Sequence, residues 1–149
     1  MKIAIGSDHA GFKLKERIKA FLNQKGFEVL DKGCFSEDSC DYPDFGEAVA
    51  LEVVNNNCDF GCIICGTGIG ISISANKIPG IRAALCTSKE MAHYAKAHND
   101  ANVIALGARI TLQDSPEEII EEFLSSKFEG GRHERRINKI KNIEEKYRC

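Results

Sequence analysis

Residues 60–77 read FGCIICGTGIGISISANK, an apolar run, then a turn with glycines at 66, 68 and 70, then a short helical pattern. Phe60 to Ile64 is apolar on both faces, as a central strand of a parallel sheet should be. Glycine lets the backbone turn tightly after such a strand, and the spacing predicts a helix over Gly68 to Lys77. Strand, glycine turn and helix make up the repeating unit of an α/β domain.

Working outward, the same alternation continues in both directions. Upstream, Lys2 to Ile5 reads as a strand ending at Gly6. Leu14, Ile18, Phe21 and Leu22 form the apolar stripe of a helix stopped by Lys25-Gly26. Phe27 to Leu30 is a second strand. After a polar loop from Gly33 to Pro43, Asp44 to Val54 reads as a helix with Ala48, Leu51, Val53 and Val54 toward the core. Downstream, Ile81 to Cys86 is a fourth strand, and Ser88 caps a helix from Lys89 to Ala97. Asn102 to Leu106 is a fifth strand. Ser115-Pro116-Glu117-Glu118 starts a helix that runs to Phe123 or Ser126. A last helix, His133 to Arg148, has only the narrow stripe Ile137, Ile140, Ile143 and Tyr147, which suits packing against a second subunit.

These elements predict a single α/β domain over residues 1–149. It is a Rossmann-like three-layer sandwich around a five-stranded parallel sheet of order 2-1-3-4-5, with an extra C-terminal helix. The chain is 43% hydrophobic and 28% charged, which excludes a disordered or low-complexity protein. Its apolar runs fall far short of the ~20 residues of a membrane span, and MKIAIGSDH lacks a signal-peptide core. The expectation is a cytoplasmic protein without a membrane partner. Residues 127–149 carry eight Lys and Arg against four Asp and Glu, a local +4 within a net charge of −2. That tail fits a solvated helix face or an anionic metabolite, and the acidic remainder disfavours nucleic acid.

Seven cysteines with no export signal argue against a disulfide framework. Cys62 and Cys65 resemble a metal or redox pair, but an odd offset in a strand sends them to opposite faces. In a parallel sheet the ligand sits beyond the carboxyl ends of the strands, where the strand order reverses. If the first strand lies beside the third, the loops Gly6–His9 and Cys65–Gly70 face each other there. Free N–H groups at a glycine turn converge on an anion. Cys65 beside a helix start adds a stabilised thiolate, which together with that turn suits proton transfer beside a carbonyl. A tight turn made only for packing is the plainer reading of the glycines. Asp8-His9 alone fits a surface turn equally well. His98-Asn99 precedes a strand, so it belongs at the opposite end of the sheet, and a functional His98 would serve a neighbouring subunit. Arg132 and Arg136, four apart, share a helix face that fits a phosphate dianion.

The strings GSDHAGF (6–12), DYPDF (41–45), CGTGIGISISANK (65–77), IRAAL (81–85), HNDANVIALGAR (98–109) and EGGRHERR (129–136) together resemble the type B ribose-5-phosphate isomerases. That family also includes galactose-6-phosphate and allose-6-phosphate isomerases. The resemblance implies a metal-free, cofactor-free aldose–ketose isomerase acting on a sugar phosphate, D-ribose 5-phosphate first among them. It also implies a homodimer with shared sites, paired into tetramers in some members. By motif Cys65 is the base. Ile71 stands where members without this cysteine carry a glutamate. Thr67 places a hydroxyl near the sugar oxygens, and Gly66, Gly68, Ile69 and Gly70 belong to the anion hole. Asp8 and Tyr42 match substrate contacts. His98 matches the ring-opening residue, with Asn99 beside it, both from the partner subunit. His9, Arg132 and Arg136 match phosphate contacts, and Arg109 a further one from across the dimer. The rival from another class is a flavodoxin-like binding module. A receiver-type module of that kind would show an acidic cluster after the first strand and a lone Asp after the third, where Cys65 stands.

Overall fold

The computed structural model describes residues 1–149 as five strands and six helices in regular alternation. Strand β1 (Lys2–Ser7) leads to α1 (Phe12–Gln24) and β2 (Glu28–Asp31), then α2 (Tyr42–Val54) and β3 (Phe60–Cys65). There follow α3 (Ile69–Ala75), β4 (Ala83–Leu85), α4 (Lys89–Ala97), β5 (Val103–Gly107), α5 (Pro116–Ser125) and α6 (Arg132–Tyr147). No helix is long and apolar enough to cross a membrane.

All strand pairs are parallel, in the order β2-β1-β3-β5-β4. This corrects the expected 2-1-3-4-5 at one edge. The last two strands exchange places because their side chains differ. Every residue of β5 is buried, whereas the three residues of β4 are only half-buried. Arg82, at the head of β4, turns its guanidinium onto the carbonyls of Asn99 and Asp100. A short strand led by a charge belongs at an edge, and an apolar one at the centre.

Two cores sandwich the sheet. On one face Ile3, Ile5, Cys62, Ile64, Ile104 and Leu106 pack under α1, α4 and α5. On the other Ala4, Ile63, Cys65, Val103 and Ala105 pack under α2 and α3. Cys62 and Cys65 therefore lie on opposite faces, as their spacing predicts. Burial pushes the Cys62 and Cys86 thiols up to about 12. Helix α2 turns Gly46, Val49, Ala50 and Val53 inward and leaves Leu51 exposed, unlike the expected face. Because Gly46 and Ala50 lack bulk, α2 packs closely on α3, with the position of the Gly46 Cβ only 3.1 Å from Ile71. Ser88 caps α4, and Ser115 with Glu118 forms a capping box on α5.

One charged side chain is buried without any exposure. The Lys15 side chain is wholly buried and donates to both Asp31 carboxylate oxygens at 2.7 and 2.8 Å. Positions 15, 18 and 22 share the inward face of α1, so the lysine sits where an aliphatic residue is expected. Asp31 also accepts from Lys19 and from the Gly33 N–H. Burial alone would raise its pKa, but these donors outweigh it and hold the carboxyl below the usual carboxylate range. Replacing Lys15 with Met should lower the unfolding free energy by about 3 kcal/mol, the low end for a broken buried pair because Lys19 remains. A carboxyl held below its unfolded value contributes stability above the unfolded range and loses it as pH falls through the folded one. In urea titrations the gap between wild type and Lys15→Met should narrow below about pH 4. A gap that does not change with pH would contradict this role for the pair.

Candidate active site

The strand order reverses between β1 and β3, since the chain runs from β1 outward to β2 and then returns to place β3 on the other side of β1. Beyond the carboxyl ends of β1 and β3 lies a cleft of about 410 Å³. Its walls are Asp8, His9, Ala10, Tyr42, Cys65, Gly66, Thr67, Ile69, Gly70 and Arg109.

Cys65 ends β3 at the cleft floor, buried, and its Sγ accepts the Gly68 N–H at 3.1 Å. That contact depends on Gly68. Its φ is +78°, and a Cβ there would meet the Leu106 backbone at 2.9 Å. The Thr67 hydroxyl accepts the Ile69 N–H at 3.1 Å. Two of the turn's donors are therefore already used, one on the thiol and one on the hydroxyl. The N–H groups of Gly66, Thr67 and Gly70 bond to no protein acceptor, which leaves them for an anion in the cleft. Gly70 seats Tyr42, since a Cβ there would lie 2.6 Å from the ring.

Asp8 is buried and turns the chain into α1, its Oδ1 accepting the Gly11 N–H at 3.0 Å. His9 Nδ1 lies 3.2 Å from both the N and the O of Cys40, so the loop after β2 fixes the ring. Arg109 is exposed, forms no ion pair, and is anchored by its N–H on the Gly66 carbonyl at 2.8 Å. It sits on the cleft of its own chain, whereas the expectation placed it across a dimer. The reason is topological, because Arg109 follows β5 and β5 pairs directly with β3. Ala10 is a wall residue that sequence reasoning missed, and an unreactive methyl side chain carries no signal of such a place.

His98, Asn99, Arg132 and Arg136 are elsewhere. His98 caps the C-terminus of α4, ahead of β5. Its ring stacks on His133 with centroids 4.0 Å apart and planes 10° apart. The Glu129 carboxylate lies 3.7 Å from His98 and 3.5 Å from His133. His133 opens α6 between Arg132 and the exposed Arg135 and Arg136. Helix α6 therefore begins at the end of the sheet opposite Cys65. Burial first, then the neighbouring His98 and Arg132, pushes the His133 pKa down, and its buried Nε2 has no hydrogen-bond partner. The role of His133 as the platform for His98 was not legible in the sequence, where it read only as a helix start. His98, Glu129 and His133 bring three potential metal ligands within 4.8 Å of one another. An imidazole binds an ion in its ring plane, and two rings stacked face to face share no such plane. The trio would have to unstack to hold a metal.

One chain thus carries the expected residues in two separate groups. Asp8, His9, Tyr42, Cys65, the glycine turn and Arg109 lie at one end of the sheet. His98, Asn99, Arg132 and Arg136 lie at the other.

Residues 3–140 match the family model described as Ribose/Galactose Isomerase. The chain is 46% identical to ribose-5-phosphate isomerase B of Escherichia coli (strain K12), over 97% of each chain. The solved Clostridium thermocellum ribose-5-phosphate isomerase B superposes with a TM-score of 0.96 at 53% identity, covering 99% of both chains. A Mycoplasma genitalium ribose-5-phosphate isomerase B solved with bound ribulose-5-phosphate has a TM-score of 0.90 at 43% identity, over 97% of this chain and 96% of that one. A cleft with a thiol beneath a glycine turn, in a fold matched over nearly its whole length, places this chain in the ribose/galactose isomerase family.

Proposed function

We infer that the protein is an aldose–ketose isomerase that interconverts D-ribose 5-phosphate and D-ribulose 5-phosphate through a cis-enediol. The observation that carries this reading is Cys65, a buried thiol on the cleft floor beside unpaired backbone donors. Near full-length likeness to ribose-5-phosphate isomerase B proteins, one with ribulose-5-phosphate bound, supports the choice of sugar.

In this reading the Cys65 thiolate takes the C2 proton of the open-chain aldose. The charge that develops on the carbonyl oxygen faces the free N–H groups of the turn and the Thr67 hydroxyl. Cys65 then returns the proton to C1, while the O2 hydroxyl proton passes to O1, so that O1 ends as a hydroxyl and O2 as the ketone oxygen. Asp8 and Tyr42 contact the sugar hydroxyls. The phosphate rests on His9 and Arg109. Because backbone dipoles hold the enediolate, no metal or cofactor is assigned a role.

Ring opening is assigned to His98, with Asn99 beside it, and further phosphate contacts to Arg132 and Arg136. All four lie too far from Cys65 in their own chain, so they are assigned to a partner's cleft in a homodimer. This moves Arg132 and Arg136 to the partner and Arg109 to the same chain as Cys65. Exposed apolar side chains at both ends support the assembly: Tyr42, Ile69 and Ile73 near the cleft, and Ile140, Ile143 and Tyr147 on α6. Pairing of dimers, a cytoplasmic location and a place in pentose phosphate metabolism complete the proposal.

Pentose and hexose phosphates assayed side by side, with a chelator present throughout, should give the highest kcat/KM with ribose 5-phosphate. Cys65→Ala should lose about 10²–10⁴-fold in kcat, the usual worth of a placed base, and still bind the sugar phosphate. A folded Cys65→Ala enzyme with near-normal kcat would overturn the mechanism. Arg136→Ala should raise KM and weaken competition by inorganic phosphate, because a dianion loses a forked partner. An unchanged KM would remove Arg136 from the site.

A further inference from the structure

Helix α4 ends in a stack of aromatic rings that continues into α6. His98, the C-cap of α4, donates its N–H to the Tyr94 carbonyl at 2.9 Å. That last turn brings the two side chains, four residues apart, onto one face of the helix. The Tyr94 and His98 rings have centroids 4.6 Å apart and planes tilted by 32°. His133 stacks on His98 at 4.0 Å. Two rings that near cannot lie side by side on one face of an imidazole, so Tyr94 and His133 cover opposite faces. At the ring's edge the Glu129 carboxylate lies 3.7 Å from His98 Nε2. Just after His98 in the chain, Arg82 grips the carbonyls of Asn99 and Asp100 at 2.9 and 2.7 Å. Tyr94 is braced in turn by His93, whose ring meets it at 5.3 Å and 69°. His93 Nδ1 lies 3.0 Å from the Ser126 hydroxyl and 3.2 Å from the Glu122 carboxylate, which ties the stack to α5.

We propose that Tyr94 and Glu129 are positioning residues for ring opening. Tyr94, with His133, fixes the plane of the His98 imidazole, and Glu129 fixes which way the ring is turned within that plane. The proposal rests on the reading of His98 as the ring-opening residue. Opening a furanose removes the proton from the O1 hydroxyl, breaks the C1–O4 bond and delivers a proton to O4. O1 is left as the aldehyde oxygen, and the proton count is unchanged. An imidazole serves this step by accepting at one oxygen and donating at the other, so a ring nitrogen must stay in line with both.

A histidine side chain has two soft torsions, and the stack restrains both. With a ring on each face, the imidazole cannot swing out of its plane without losing an aromatic contact. What is left is a half-turn about the Cβ–Cγ bond, which exchanges each nitrogen with a carbon. The Glu129 carboxylate breaks that symmetry, because an anion beside Nε2 favours nitrogen over carbon at its edge. Tyr94 lies on α4, away from the arginines that open α6, so its part in orienting His98 separates from phosphate binding.

The test compares full-length Tyr94→Ala, Tyr94→Phe, Glu129→Ala and His98→Ala enzymes in two reactions. One is turnover of ribose 5-phosphate, whose furanose must open. The other is entry of solvent deuterium at C1 of ribulose 5-phosphate. That ketose carries its phosphate on O5, cannot close a furanose, and needs only the proton transfer assigned to Cys65. Tyr94→Ala should lower kcat on ribose 5-phosphate about 10-fold or more, the scale of a small misplacement of a reacting group. Its KM should not rise, and its deuterium entry should match wild type. Tyr94→Phe, which keeps the aromatic face, should recover most of the lost kcat, and Glu129→Ala should show the same split as Tyr94→Ala. Wild-type kcat in Tyr94→Ala, equal losses in both reactions, or no recovery in Tyr94→Phe would overturn the role of Tyr94. A fall in kcat that tracks loss of the dimer in sedimentation would overturn it as well. Wild-type kcat in Glu129→Ala would remove the carboxylate from the device. His98→Ala separates failure of the underlying reading. If it turns over ribose 5-phosphate normally, or loses deuterium entry too, His98 does not open the ring. If it shows the split and Tyr94→Ala does not, the positioning role alone is wrong.

Discussion

In an all-parallel sheet, whatever follows a strand lies at one end and whatever precedes a strand lies at the other. Every other feature of this protein's chemistry depends on that sorting. Asp8 and His9 follow β1, Cys65 follows the apolar run of β3, and Arg109 follows β5. His98 and Asn99 precede β5, and α6 starts beside them. A strand of six residues, such as β3, spans about 20 Å at the ordinary rise. Proton transfer works over about 3 Å. The distance wins by a wide margin, so the two groups in one chain cannot serve one small substrate. A second chain that presents its α4–α6 end to the cleft is the arrangement that gives both groups a common substrate.

The cleft is kept in shape by contacts that do no chemistry. Lys15 and Asp31 tie α1 to the end of β2, and Asp31 also holds the Gly33 N–H. Gly33 and Cys34 in turn clamp Ser7, the residue before Asp8. A buried ion pair is weak evidence for stability in general. Its position here gives it a different value, because it fixes where the loop carrying Cys34, Cys40 and Tyr42 crosses the end of β1. The same economy shows in the glycine turn. Gly68 brings its N–H to the Cys65 sulfur because no side chain fits beneath it.

Much of this was legible in the residues. The apolar run of β3 with its glycine turn, the caps Ser88 and Ser115, and the narrow stripe of α6 each carry a local signal that survives into the fold. The sequence also indicated that His98 and Cys65 lie at opposite ends, because that follows from chain order alone. What escaped depends on contacts between distant segments. The order of the last two strands turns on how an apolar β5 competes with a β4 led by Arg82, and alternation of elements does not encode that choice. Arg109 was expected from across a dimer, and its place on the cleft of its own chain depends on the β3–β5 pairing. Lys15 was left out of the apolar stripe read for α1, although its position on the inward face of that helix was available to be read. The stack of His133 under His98 joins segments with no shared pattern.

The central claim is that a complete site needs one end from each of two chains, and subunit mixing measures it most directly. Cys65→Ala and His98→Ala enzymes, each inactive alone, are unfolded, mixed and refolded together. In a heterodimer one site carries both substitutions and the other carries neither. The account predicts that activity returns, with one intact site in each heterodimer as its ceiling. If heterodimers are shown to form and the mixture stays as inactive as its parents, the site is not shared and the account is wrong.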